Sequence, residues 1–129
     1  MQKNFVNRFF GFFEQLTLQE IVIFFFAVFF MSYFGLVSFL GTTDFLAVVV
    51  SDSMDPALHK GDMVFLSANT QISTGDIIVF KKNSETIIHR VVEVTPSGFR
   101  TKGDKNPYKD FFTVQKKEVV GKVVFAVPK

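Results

Sequence analysis

Cysteine is absent from the 129 residues, and histidine occurs only twice. The first absence excludes a disulfide framework, a cysteine-based zinc site and a thiol nucleophile, while leaving the compartment open. Together the two argue against a metal centre. Phosphate-cradling glycine loops are missing as well, since neither GxxxxGK nor GxGxxG occurs. Excess charge of one sign is missing too: 14 Lys and Arg face 12 Asp and Glu. With no basic cluster, nucleic acid is not an expected partner. A polar, disordered composition is equally excluded, because 48% of the residues are hydrophobic and mean hydropathy is +0.30.

What is present is divided unevenly. Of 19 Phe, 13 fall in the first 45 residues. Residues 1–43 carry only Lys3, Arg8, Glu14 and Glu20 as charges, whereas residues 44–129 carry 12 basic and 10 acidic groups. Two solvents are implied. Between Glu20 and Asp44 lie 23 uncharged residues, and a helix of that length spans roughly 34 Å, enough to cross a hydrocarbon core of about 30 Å. A cleavable signal peptide would have an apolar region of only about 7–15 residues and a small-x-small site behind it. Here the run is longer and the bulky Phe45-Leu46-Ala47-Val48 follows it. The expectation is therefore an uncleaved transmembrane anchor over residues 21–43.

Lys3 and Arg8 precede the span, and Asp44, Asp52 and Asp55 follow it before the first base, Lys60. The positive-inside rule then places residues 1–20 in the cytoplasm or its membrane interface and residues 44–129 outside. Phe5, Phe9, Phe12 and Leu16 sit near helical spacing. They fit either a short helix lying in the interface or a continuation of the anchor.

Beyond Thr43 the pattern becomes short β-branched runs separated by turn residues. Strands are predicted at 45–50, 63–67, 76–82, 86–94, 99–102 and 119–127. The predicted fold is mainly β: a transmembrane helix followed by a small antiparallel sandwich or barrel-like domain.

Eight Ser, two His and many Asp carry no information by their presence alone; context has to decide. Ser51-Asp52-Ser53-Met54-Asp55-Pro56 directly follows an apolar strand, where a turn can present a hydroxyl, although Ser, Asp and Pro are also ordinary turn residues. His89, within Ile87-Ile88-His89-Arg90-Val91, shares a strand face with Ile87 and Val91. It suits either a satisfied core position or a general base. His59 lies in a polar turn and reads as surface. Asp104 and Asp110 flank Pro107 in a Lys-rich loop, which is either solvated or supplies an acid that orients the histidine. Phe111 and Phe112 suit an interface or a core equally.

In order, Ser-x-Ser-Met-x-Pro, Gly-Asp, Gly-Asp-Ile-Ile-Val-Phe, Ile-His-Arg-Val, Thr-Lys-Gly-Asp and Val-Val-Gly-Lys-Val resemble type I signal peptidases over residues 45–127. His at position 89, where bacterial-type relatives have Lys, resembles the archaeal and endoplasmic-reticulum type. The resemblance implies Ser53 as nucleophile, His89 as general base, Asp110 as the residue orienting it and Asp104 as a supporting acid. It implies Ser51 and the Ser53 N–H as oxyanion-hole donors, and no cofactor. Lys105 and Lys109 depart from the family pattern, standing where it has Asn and Asp.

The implied reaction is removal of signal peptides from secretory preproteins after a small-x-small site, with activity falling on acidification as the histidine protonates. A catalytically inactive, membrane-anchored binding relative is the alternative, and a Ser-Lys enzyme using Lys102 a more distant one. The lipid bilayer and other membrane subunits are implied partners. The membrane would be that of a prokaryotic cell, favoured by the short chain without a second apolar span, or the endoplasmic reticulum.

Overall fold

Helix α1 runs from Leu18 to Leu40, slightly earlier than the uncharged stretch that predicted it. The reason is a local cap. Glu20 Oε2 accepts hydrogen bonds from the Thr17 N–H and hydroxyl, both at 2.8 Å, while Thr17 Oγ1 accepts the Glu20 N–H at 3.4 Å. This reciprocal arrangement satisfies amide groups that a helix start leaves free, and draws residues 18–20 into the first turn. At the other end Gly41 adopts φ +69° and its N–H returns to the Val37 carbonyl at 2.8 Å. A side chain is disfavoured in that left-handed conformation, so the helix stops at a glycine. No residue of α1 is buried, and its mean hydropathy is 2.4. It is long and apolar enough to cross a membrane.

The computed structural model describes residues 17–129. The helix expected around Phe5, Phe9 and Phe12 lies outside them. The chain divides into two units, one ending at Leu36 and the other covering Val37–Lys129.

The second unit is a seven-stranded antiparallel sheet: β1 (Leu46–Val48), β2 (Met63–Ser67), β3 (Ile77–Lys82), β4 (Glu85–Thr95), β5 (Gly98–Lys102), β6 (Thr113–Val114) and β7 (Val119–Val127). Its order is β1-β2-β7-β3-β4-β5-β6. The last strand therefore inserts between β2 and β3, pairing Phe65 with Phe125 and Ile78 with Lys122. One continuous antiparallel sheet follows the helix, as the mainly β reading expects, and carries an apolar cluster on each face. Val49, Met54, Leu58, Val64, Leu66 and Val79 form one cluster; Ile78, Phe80, Val91, Phe99 and Val114 form the other. Strand β3 explains this, because alternation sends Val79 to one face and Ile78 and Phe80 to the opposite one. All three are almost completely buried.

The end of α1 is fastened to the end of β2 within this unit. Asn69 Nδ2 donates to the Ser38 carbonyl at 3.1 Å and to that of Phe39 at 2.8 Å, and the Ala68 N–H donates to the Leu40 carbonyl at 2.6 Å. Three carbonyls that the helix leaves unpaired thus find donors.

Candidate active site

The segment between β1 and β2 forms a pinned turn that holds two serines at a surface. Val49, Met54 and Leu58 plug into the first core cluster. The Val49 N–H donates to the Asp62 carbonyl and the Gly61 N–H to the Val49 carbonyl, at 2.9 and 2.8 Å. Met54 is 1% exposed, so its burial fixes the neighbouring Ser53. The hydroxyls of Ser51 and Ser53 lie 3.2 Å apart. Ser53 is also held from the other side: its carbonyl accepts the Lys105 N–H at 2.9 Å. Gly103 permits that approach, because a Cβ there would lie 2.7 Å from the Ser53 carbonyl oxygen and 2.7 Å from Asn106 Nδ2.

His89 sits in β4 opposite Ile78, with its ring edge-on to Phe80 at 6.4 Å between centroids. As alternation predicts, it faces the second core cluster with Ile87 and Val91. Its Nδ1 lies 2.7 Å from Asp110 Oδ2, both side chains being nearly buried. Asp110 is held there by Thr101, whose carbonyl accepts the Asp110 N–H at 2.8 Å and whose hydroxyl donates to Asp110 Oδ2 at 2.6 Å. An Nδ1–H that donates to this carboxylate leaves Nε2 as the ring nitrogen with a free lone pair.

Asp104 goes elsewhere. Arg90, the residue after His89, points to the opposite face and binds it at two points, Nε to Oδ1 at 2.8 Å and Nη2 to Oδ2 at 2.6 Å. The guanidinium holds the Asp104 carboxyl below its ordinary range, outweighing the effect of burial. Arg90 Nη1 further donates to the Gly75 carbonyl at 2.7 Å, tying the loop after β5 to the turn before β3.

Ser53 and His89 line one cleft of about 620 Å³. One wall is Ala47–Ser51 with Ser53 and Met54, and the other is Glu85–His89. The walls are largely apolar, and the polar groups among them include the Ser53 hydroxyl and the His89 imidazole. No Ser53–His89 hydrogen bond occurs among the described residues; such contacts commonly tighten only when substrate closes the site. Among the described residues, no group of three or more His, Asp and Glu is placed to hold a metal ion.

The remaining motif residues have structural partners. His59 is exposed beside Asp55, at 3.4 Å. The Asp62 carboxylate accepts N–H groups from His59 at 2.8 Å and Lys129 at 3.1 Å, which keep it below the usual carboxylate range. Lys102 Nζ donates to the Asn106 carbonyl at 2.6 Å. The two residues that depart from the family pattern pair outward, Lys105 with Asp55 and Lys109 with Glu93. Phe112 packs on Phe80 under the Lys82 ammonium, whereas Phe111 is 98% exposed. Sequence reasoning quoted Thr101 and Arg90 within the Thr-Lys-Gly-Asp and Ile-His-Arg-Val motifs but gave neither a role.

Comparison with known proteins identifies relatives of this chain. The signal peptidase complex catalytic subunit SEC11C of Homo sapiens is 38% identical over 104 residues, 68% of this chain and 54% of that protein. The corresponding SEC11 subunit of Leptosphaeria maculans is 36% identical over 117 residues, and that of Pyrenophora teres 35%, each covering 77% of this chain and 66% of the relative. The chain thus spans about half the length of the mammalian relatives it matches and about two thirds of the fungal ones. A family model described as Peptidase S24-like matches residues 33–124. That match encloses the serine turn, the histidine strand and the aspartate loop, and the chain belongs to the Peptidase S24-like family.

Proposed function

We propose that this chain is a membrane-anchored serine endopeptidase that removes signal peptides from secretory preproteins. The observation that carries the reading is the 2.7 Å contact of His89 Nδ1 with Asp110, on an imidazole that shares a cleft with Ser53. Ser53 is the nucleophile and His89 its general base. A serine hydroxyl becomes reactive when a neutral imidazole takes its proton during attack on the scissile carbonyl. Asp110 fixes the tautomer that leaves Nε2 available and stabilises the imidazolium that forms. The Ser51 hydroxyl and the Ser53 N–H receive the developing oxyanion, each such donor being worth about 3 kcal/mol in comparable hydrolases. His89 then protonates the leaving amine, and water releases the acyl-enzyme. Asp104 supports the site indirectly, through Arg90.

The anchor explains the choice of substrate. A signal peptide ends in a small-x-small site close to its own apolar segment, and Ser53 follows the anchor by 13 residues. Residence in one bilayer raises effective concentration without any new contact. The face of β1, β2 and β7 that carries Leu46, Val48, Met63 and Phe125 is exposed and apolar, which suits contact with lipid. The N-terminus is cytoplasmic and the sheet lies across the membrane from it. The SEC11 relatives are named as subunits of a signal peptidase complex, so other membrane subunits are proposed as partners here.

The test is cleavage, in detergent or liposomes, of a membrane-targeted preprotein carrying an Ala-x-Ala site. The new N-terminus is sequenced and wild type is compared with Ser53→Ala. Cleavage after the small residue that vanishes with Ser53→Ala supports the proposal. Cleavage that persists assigns the activity to another residue, and a folded wild type that does not cleave favours a binding role.

A further inference from the structure

We infer that Thr101 is the positioning residue that locks the Asp110 carboxylate onto His89, an inference that rests on the proteolytic reading above. The β4–β5 ladder pairs Val91 with Thr101. His89 precedes Val91 by two residues, so His89 and Thr101 are diagonal neighbours on one face of the sheet. Thr101 is fully buried. A buried hydroxyl has to place its proton on an acceptor, and this one chooses a carboxylate, Asp110 Oδ2, at 2.6 Å. His89 Nδ1 approaches the same oxygen at 2.7 Å. The Thr101 carbonyl also takes the Asp110 N–H, so one residue grips Asp110 by side chain and main chain together.

The consequence follows from where Asp110 comes from. It lies near the end of the long connection between β5 and β6, and a carboxylate on a loop is free to turn about its side-chain bonds. The hydroxyl bond removes that freedom and aims Oδ2 at the imidazole. With Oδ2 held, the Nδ1–H tautomer is selected and Nε2 stays basic. Without it, Asp110 rotates among alternatives and the imidazole spends part of its time with the proton on the wrong nitrogen. Substrate contacts, made by the cleft walls, are untouched.

The experiment compares full-length wild type with Thr101→Val, Thr101→Ala and Thr101→Ser in detergent micelles, using the Ala-x-Ala preprotein as substrate. Val keeps the shape and loses the donor; Ala loses the same donor without placing a methyl beside the carboxylate, and serves if Val does not fold. Both are expected to lower kcat roughly ten- to hundredfold with KM changed by less than about twofold, the size of a lost hydrogen bond to a charged group. Ser, which restores the hydroxyl, is expected to recover most of the rate.

A second readout is the nitrogen NMR spectrum of ¹⁵N-histidine-labelled protein, where only two imidazoles contribute. His89 should show the Nδ1–H tautomer in wild type and Thr101→Ser, and a mixture in Thr101→Val. Wild-type kcat and an unchanged tautomer in Thr101→Val overturn the inference, as does a change confined to KM. If wild type does not cleave the preprotein but the tautomer still shifts, the proteolytic reading fails and the positioning role stands.

Discussion

Asp104→Asn leaves the Arg90 guanidinium in place and removes the charge it was built around. The amide oxygen can still accept one of the two bonds, now 2.8 and 2.6 Å. Breaking a fully buried pair costs about 3–5 kcal/mol, and an exposed one is worth only about 0.2–1 kcal/mol. Arg90 and Asp104 are 32% and 19% exposed at their side chains, so solvent screens part of the attraction. Two-point geometry and a charge-assisted contact place the loss at about 1–2 kcal/mol. For a domain of this size that is a fall in Tm of roughly 5–15 °C. The pH dependence has a definite sign. Because the folded-state pKa of Asp104 lies below its ordinary value, its contribution is complete above the unfolded value of about 3.9 and disappears as pH falls through the folded one. The assay is urea denaturation of full-length wild type and Asp104→Asn in micelles, followed by circular dichroism; urea adds no salt to screen the pair. The gap should be constant from pH 5 to 8 and close below about pH 4. A gap under about 0.3 kcal/mol at pH 7, or one that widens on acidification, refutes the reasoning.

Gly103→Ala should slow cleavage more than about tenfold and cost about 1–3 kcal/mol, since its Cβ collides with the Ser53 carbonyl and the Asn106 side chain; steady-state kinetics and denaturation check both. Phe111→Ser should change stability by less than about 0.5 kcal/mol, whereas Phe112→Ala should cost about 2–3 kcal/mol through lost contact with Phe80 and Lys82. Equal effects of the two would contradict their assigned surroundings. Asn69→Ala removes the donor shared by the Ser38 and Phe39 carbonyls and should cost about 1 kcal/mol. Faster amide exchange confined to the last turn of α1 and the end of β2 would show the same loss locally.

The histidine strand was legible because β alternation is short-range: Ile87, His89 and Val91 share a face whatever β4 pairs with. The same rule contained the answer to the two aspartates. His89 and Arg90 are adjacent and face opposite ways, so the carboxylate that Arg90 binds at two points is not the one hydrogen-bonded to His89. Which of Asp104 and Asp110 met which partner depended on the path of the connection after β5, and no periodicity records that path. Strand order was hidden for a related reason, since inserting β7 between β2 and β3 is a long-range pairing. β6, only two residues long, is too short to announce itself. The single sheet with a core on each face did leave a trace: Ile77-Ile78-Val79-Phe80 is a continuous apolar run, the mark of a strand covered on both faces. The helix start at Leu18 was set by the Thr17–Glu20 cap, which a search for uncharged residues passes over.

The most direct measurement of Ser53 activation by His89 is covalent labelling. Full-length protein in micelles is treated with a serine-acylating agent, and the adduct is located by peptide mass spectrometry in wild type, His89→Ala and Asp110→Asn. The account predicts modification of Ser53 alone among the eight serines, abolished by His89→Ala and strongly slowed by Asp110→Asn. Modification of a different serine, or of Ser53 at an undiminished rate without the imidazole, would contradict it.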